Sequence, residues 1–279
     1  MITTLTTLDL KRFVLSLKAN EKSSATIEKY SRDIKTFLKY AKGKAVDKNL
    51  LLDYKEYLFK NYKTTSANSM IGAINSFLKF LDKFSLCIKQ FRVQREAYCS
   101  EEKELTKSEY FRLVNTAKSK NNKQLALIIQ TICSTGIRVS ELKFITVESV
   151  YKGEAIVRLK GKIRKIFILP ELKSKLISFI KENKIEKGVV FVSKNKKPIS
   201  RNAVWRKMKE LCNQANVPKS KVFPHNLRHL FARTFYNIDK DIAKLADILG
   251  HSNVNTTRIY IMTSGIEHRN QMRTMRLLI

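Results

Sequence analysis

The sequence predicts a mainly α-helical protein with a small antiparallel β-sheet, divided into an N-terminal four-helix domain and a mixed α/β second domain. Three observations carry this. Apolar residues recur at three- and four-residue spacing through most of the chain, and short β-rich runs are confined to residues 155–192. A charge-rich stretch without apolar period, 92–104, reads as a linker between a helical domain at 1–91 and a second domain at 105–279.

The first domain opens with Leu10, Phe13, Val14 and Leu17 on a helical period. A second helix follows the start signal Ser23-Ser24 and carries Ile27, Tyr30, Ile34, Phe37, Leu38 and Ala41. A third begins after Asp47 with Leu51, Tyr54 and Leu58, and a fourth after Thr64-Thr65-Ser66 with Ile71, Ile74, Leu78 and Leu81. The outer faces hold Lys29, Arg32, Lys35, Lys39, Lys60, Lys63 and Lys79. Surface lysines mostly solvate a helix, but here basic charge is not matched by acid, so these faces are expected to line a phosphate backbone.

In the second domain Thr106 and Glu109 form a T-x-x-E capping box ahead of Leu113, Val114 and Ala117. The next helix (Leu125, Ile128, Ile129, Ile132) ends near Gly136. Arg138 then stands at the mouth of a further helix beginning near Ser140 and Glu141, where a helix N-terminus already favours anions. Glu141 either caps and salt-bridges, or orients Arg138 or a histidine. Runs at 155–159 and 165–169, separated by Lys160, Gly161, Lys162, Ile163 and Arg164, predict a hairpin with a basic tip that could reach DNA. Pro170 opens a helix with Leu172, Leu176 and Ile180, and 188–192 reads as a third strand. Ser200 caps a helix whose Val204, Met208 and Leu211 face inward, while Arg201, Arg206, Lys207 and Lys209 are expected groove contacts and Trp205 is expected to pack.

Composition narrows the function. A chain of 279 residues with 43% hydrophobic content can bury real cores, and its net charge of +31 implies a polyanionic partner, nucleic acid first. No apolar run is long enough to span a bilayer and the start MITTLTTLDLKR lacks a signal-peptide pattern, so a cytoplasmic protein is expected, with no membrane partner. Cys87, Cys99, Cys133 and Cys212 form no CxxC pair or zinc spacing and read as reduced thiols. Without a P-loop or GxGxxG, nucleotide hydrolysis is not expected.

The stretch from Phe223 to Tyr260 gathers three of the four histidines, His225, His229 and His251, with Arg228 and a tyrosine nine residues after the last of them. His225 and Arg228 stand three apart just after Pro224, which suits a first helical turn and a shared face. A second helix (Ile242, Leu245, Leu249) stops at Gly250, leaving His251 in the turn before a short helix that ends near Tyr260. An arginine fork and two imidazoles suit a phosphate, and a nearby phenol could attack its phosphorus.

Taken in order, Arg138 in TGIRVSEL, Lys162 in LKGKIRK, His225 and Arg228 in PHNLRHLFA, His251 in LGHSNVNTT and Tyr260 in RIY resemble the tyrosine recombinase (phage integrase) family, most closely its compact Xer-like members. The resemblance spans nearly the whole chain. It implies a SAM-like core-binding domain followed by the recombinase catalytic domain, and a site-specific recombinase that cuts and rejoins DNA through a 3′-phosphotyrosyl intermediate, with no metal, ATP or other cofactor. Tyr260 would be the nucleophile, Arg138 and Arg228 would hold the scissile phosphate, His225 and His251 would bond it or move the phenolic proton, and Lys162 would protonate the departing 5′-oxygen. Ile163 stands where the family often has a second glycine, so Lys160 or Lys165 are alternatives for that acid. His229 matches a family position and reads as structural. The DNA contacts expected are Lys29, Arg32, Lys35, Lys63, Lys160, Arg164, Arg201 and Arg206. The implied partners are double-stranded DNA with short inverted-repeat core sites and three further copies in a synaptic tetramer, the free protein being a monomer, with room for a second recombinase or an accessory protein. The tail 265–279, with Met272, Met275 and Ile279 on one side, is expected to dock on a neighbouring protomer. Three competing readings of the sequence are a type IB topoisomerase, a silent helical DNA-binding protein, and a metal hydrolase using His225 and His229.

Overall fold

A computed structural model describes residues 4–93, 101–159, 162–261 and 273–274. They fall into two compact units, Met1–Arg95 and Glu96–Ile279. The first unit is four helices, α1 (Thr7–Ala19), α2 (Ser24–Ala41), α3 (Lys48–Asn61) and α4 (Thr64–Phe80). Thr6, Ser23 and Asp47 each cap a helix by accepting a hydrogen bond from a first-turn backbone N–H. The expected start of α4 after Ser66 is corrected to Thr64, following an extended Lys63 that offers no side-chain cap. A hydroxyl run announces a helix start without saying which of its residues lies outside. Phe13, Ile34, Phe37, Leu51, Tyr54, Leu58, Ile71, Ile74 and Phe77 form the core, each such burial stabilising by roughly 1.5–3 kcal/mol.

The second unit comprises α5 (Lys107–Ser119), α6 (Lys123–Thr135), a 3-10 turn (Val139–Phe144), α7 (Val147–Lys152), β1 (Glu154–Leu159), β2 (Lys162–Phe167), α8 (Pro170–Glu182), α9 (Arg201–Leu211), α10 (Pro224–Asp239), α11 (Ile242–Leu249) and α12 (Val254–Ile261). Helix α6 is buried nearly all round and packs against α5, α8, α9 and α10. It stops at Gly136, whose φ of +65° suits glycine and where an added Cβ would lie 2.5 Å from the Phe231 ring. The tight turn that aims Arg138 is thereby fixed.

Three expectations change here. The helix foreseen at Ser140 is the 3-10 turn, with the buried Glu141 carboxylate drawn back onto the Arg138 backbone N–H. The hairpin is tighter than foreseen, because β1 and β2 pair from Glu154 with Phe167 out to Leu159 with Lys162, which puts Lys162 and Arg164 in the strand. The third strand at 188–192 is absent. Val189 and Val192 make only isolated bridges, to Thr146 and Pro198, and proline has no N–H with which to continue a ladder. Val190 and Phe191 are buried all the same.

Of the expected linker, residues 94–100 lie outside the described residues, and Glu101–Lys103 form a short 3-10 turn. The tail foreseen to dock also lies outside them, apart from Arg273 and Thr274. Among the described residues, no helix is long and apolar enough to cross a membrane.

Candidate active site

Three local structures bring the predicted residues together: the turn after α6, the first turns of α10, and the turn and helix that follow α11. Arg138 is the N-cap of the 3-10 turn. Its backbone N–H donates to Glu141 Oε2 (2.8 Å) and its Nη1 to Glu141 Oε1 (3.1 Å), while the side chain stays 40% exposed. Pro224 opens α10, so His225 and Arg228 fall one turn apart.

Arg228 is fully buried. Nη1 donates to the Gly136 carbonyl (2.6 Å) and Nη2 to the Leu249 carbonyl (2.8 Å), the ends of α6 and α11. Its Nε–H is buried and has no acceptor among the described residues. Burial, and then the neighbouring Arg138, pull its pKa down to about 10, so it remains a cation at neutral pH.

Arg228 Nη2 also lies 2.8 Å from His251 Nε2. A guanidinium only donates, so Nε2 accepts, and Nδ1 carries the proton that His251 gives to Thr257 Oγ1 (2.8 Å). The neutral ring agrees with a pKa lowered to about 4 by burial, then by Arg228 and Arg138. Thr257 was not foreseen. Its signal is positional, three residues before Tyr260 and on the same face of α12.

Tyr260 is only 6% exposed, and its hydroxyl lies 3.2 Å from His225 Nε2. Burial first, then Arg228 and Arg138, lower the His225 pKa, which favours a neutral imidazole able to accept the phenolic proton. His229 stacks on the Tyr260 ring at 4.2 Å between centroids and 25° between planes, and its pKa is also lowered to about 4, mainly by burial. Behind the phenol, Ala232, Leu245 and Leu249 complete a small apolar cluster.

Arg138, His225 and Arg228 open onto a cleft of about 1090 Å³ whose other walls include Ser200 and, from α9, Arg201, Trp205 and Arg206. Trp205, expected to pack, is 49% exposed there. Among the described residues no group of three or more metal-ligating side chains converges, at His225 and His229 or elsewhere.

The other predicted residues divide. Arg32, Lys35, Lys63, Arg201 and Arg206 are exposed. Lys29 is held by the buried carboxylate of Asp33, beside a cleft of about 560 Å³ that it lines with Arg32, Tyr62 and Thr65. Lys162 is the first residue of β2, and Lys160 lies outside the described residues. Arg164 is a correction. Its side chain is 11% exposed and is engaged by Glu141 and the Ile248 carbonyl, so it faces the interior and not a DNA backbone.

A buried guanidinium can hold a phosphate, and an enclosed phenol beside neutral imidazoles is chemically suited to attack one. The sequence profile of the Phage integrase family matches residues 103–265, more than half of the chain. The chain belongs to the phage integrase family. A second profile, the phage integrase N-terminal SAM-like domain, matches residues 10–83. Among curated integrase-family relatives, the tyrosine recombinase XerD of Staphylococcus saprophyticus is 31% identical over 276 residues, covering 91% of each chain. XerA of Pyrococcus furiosus is 28% identical over 278 residues, covering 96% of this chain and 94% of that one. A crystal structure of XerA recombinase aligns over 99% of this chain and 100% of that chain at 27% identity, with a TM-score of 0.55. A lambda integrase dimer bound to a COC′ core site aligns over 94% and 97% at 18% identity, with a TM-score of 0.75, a likeness of fold. As a phage integrase family member this protein is a tyrosine site-specific recombinase, an enzyme that breaks and rejoins DNA.

Proposed function

We propose that Tyr260 is the nucleophile of this recombinase and that Arg138 and Arg228 hold the scissile phosphate. The observation that carries this is the buried Arg228 guanidinium, whose Nε–H lacks an acceptor among the described residues while its ring neighbour Tyr260 donates toward a neutral His225. A buried donor without a partner costs roughly 1–3 kcal/mol, which a phosphate oxygen would recover.

The chemistry then balances. The Tyr260 oxygen bonds to phosphorus as its proton passes to His225 Nε2, and the bond from phosphorus to the 5′-oxygen breaks. That oxygen takes a proton from a hairpin lysine, Lys162 in our assignment. A phenol with an ordinary pKa near 10 is a poor nucleophile at neutral pH, and a positioned base is worth roughly 10²–10⁴-fold. Arg138 and Arg228 place positive charge where the pentavalent transition state is most negative. His251 holds Arg228 and, as a neutral ring, does not compete with it for the anion. The product is a 3′-phosphotyrosyl link that conserves the phosphodiester's energy, so resealing by a 5′-hydroxyl needs no ATP.

The substrate is double-stranded DNA with short inverted-repeat core sites, contacted by Arg32, Lys35 and Lys63 of the first unit and Arg201 and Arg206 of α9. A solved relative is a lambda integrase tetramer bound to a Holliday junction. That supports a synaptic tetramer here, assembled on DNA from monomers, with the tail 265–279 docking on the neighbouring protomer, and with room for a second recombinase or an accessory protein. Work on a chromosome or mobile element places the protein in the cytoplasm. The test is a nicked suicide substrate carrying the core site, incubated in EDTA and resolved on a denaturing gel. Wild type gives a covalent protein–DNA adduct and Tyr260→Phe gives none while still binding the DNA; an adduct that persists in the Phe variant overturns the assignment.

A further inference from the structure

We propose that Arg164 is a positioning residue that registers the β-hairpin on the phosphate-binding arginines, and that it acts through the hairpin lysine's delivery of a proton to the leaving 5′-oxygen. The inference rests on the reading of the site given above and deepens it.

Arg164 joins three elements. It lies on β2 opposite Val157, close to the hairpin turn. Its Nη2 is hydrogen-bonded to Glu141 Oε2, the oxygen that also accepts the Arg138 backbone N–H, so one buried carboxylate ties the hairpin to the turn that presents Arg138. Its Nη1 donates to the Ile248 carbonyl (2.6 Å) in the last turn of α11. The next carbonyl, Leu249, is taken by Arg228, so two arginines cap successive groups at the negative end of the helix that leads into His251.

A separate observation concerns Gly250. A Cβ there would lie 2.5 Å from Arg164 Cδ, and φ is +66°. The turn that carries His251 is therefore closed over the Arg164 side chain. Along the hairpin the outward residues Ile163 and Phe167 are 68% and 67% exposed and give no anchorage. Val157 and Ile166 are buried, and Arg164 extends that inward hold toward the turn. Arginine suits the task because its planar fork meets two acceptors on different elements at once, which a lysine ammonium on a flexible stem does not.

Proton delivery depends on registration to within about half an ångström, so loosening the hairpin removes acid catalysis while leaving phosphate binding in place. The experiment measures single-turnover cleavage of the nicked core-site duplex at saturating protein. Two substrates are compared, one normal and one with the scissile 5′-oxygen replaced by sulfur. A thiol leaving group, with a pKa near 8.5, departs as the thiolate and needs no acid.

Arg164→Met is expected to slow the oxygen substrate by roughly 10²-fold and the sulfur substrate only a few-fold, the same signature as removing whichever of Lys160, Lys162 or Lys165 is the acid. Arg164→Lys should fall between wild type and Arg164→Met. The ratio of the two rates within one variant does not depend on how much of it is folded, and Arg164→Lys is read the same way if the Met variant does not accumulate. Equal slowing on both substrates, or none on either, overturns the proposal. A wild-type protein that forms no Tyr260-dependent adduct on either substrate overturns the reading of the site beneath it.

Discussion

Acid should unfold this protein through a residue that never touches DNA in the proposed mechanism. His229 is stacked on Tyr260 with a pKa lowered from 6.5 to about 4, chiefly by burial. Between those values the unfolded chain binds a proton that the folded chain refuses, so stability falls as pH drops from 6.5 toward 4 and is flat above that window. At about 1.4 kcal/mol per pH unit the limiting loss is about 3 kcal/mol, with about 2 kcal/mol gone by pH 5. His251 shifts in the same direction but is partly solvated, which screens its share, and His225 adds to the sign. Urea unfolding at pH 7.5 and pH 5 tests this, followed by the fluorescence of Trp205, the single tryptophan and a residue of the second unit. His229→Phe keeps a stacked ring and removes the titration. Wild type should lose about 2 kcal/mol more than the Phe variant between the two pH values. Equal losses in both proteins would refute the assignment of that proton to His229.

Glu141 is 1% exposed and pairs with both Arg138 and Arg164, so Glu141→Ala should destabilise the second unit by roughly 3–5 kcal/mol in the same urea assay, most of it from leaving Arg164 buried and uncompensated. A loss below about 1 kcal/mol would show that the pair is solvated in solution. DNA affinity should fall steeply with salt, because the exposed Arg32, Lys35, Lys63, Arg201 and Arg206 each displace counterions; a plot of log K against log salt is expected to slope at roughly −5 or steeper, and a flat profile would remove the basic surfaces from the binding account.

Much of the site was legible because its residues sit beside punctuation. Gly136, Pro224 and Gly250 mark where α6 ends, α10 begins and α11 ends, and Arg138, His225, Arg228 and His251 follow within a few residues of one or another. Periodicity gave the helices, since an apolar stripe must be buried whatever it packs on. Arg164 was misplaced because a lysine-rich hairpin reads uniformly as a basic tip, and a strand residue's inward or outward sense depends on a register that its sequence leaves open. The same gap hid Trp205, whose helix has a clear inward face but whose outer face is lost to solvent or cleft according to what stands opposite. Thr257 was missed for a third reason. Its hydrogen bond to His251 crosses from a turn to a helix and follows no local period.

Burial first, and then the charges in the site, keep its histidines neutral. Arg138 and Arg164 share one carboxylate, Glu141, while Arg228 is held by the carbonyl ends of α6 and α11. Three guanidiniums against one carboxylate leave about two positive charges with no anion among the described residues, in a place where burial strengthens their repulsion. Protonating His225 or His251 would add a third, and this repulsion joins burial, the larger cause, in pushing both pKa values down. A phosphodiester brings one negative charge, and the pentavalent state reached by an attacking phenolate brings a second. In the proposed mechanism the proton given up by Tyr260 stays on His225, so the dianionic state is met by the arginine excess and a new imidazolium, and the attraction grows as the reaction proceeds. Using helix C-termini in place of carboxylates to hold Arg228 has the same effect, because partial dipole charges stabilise the cation without cancelling it.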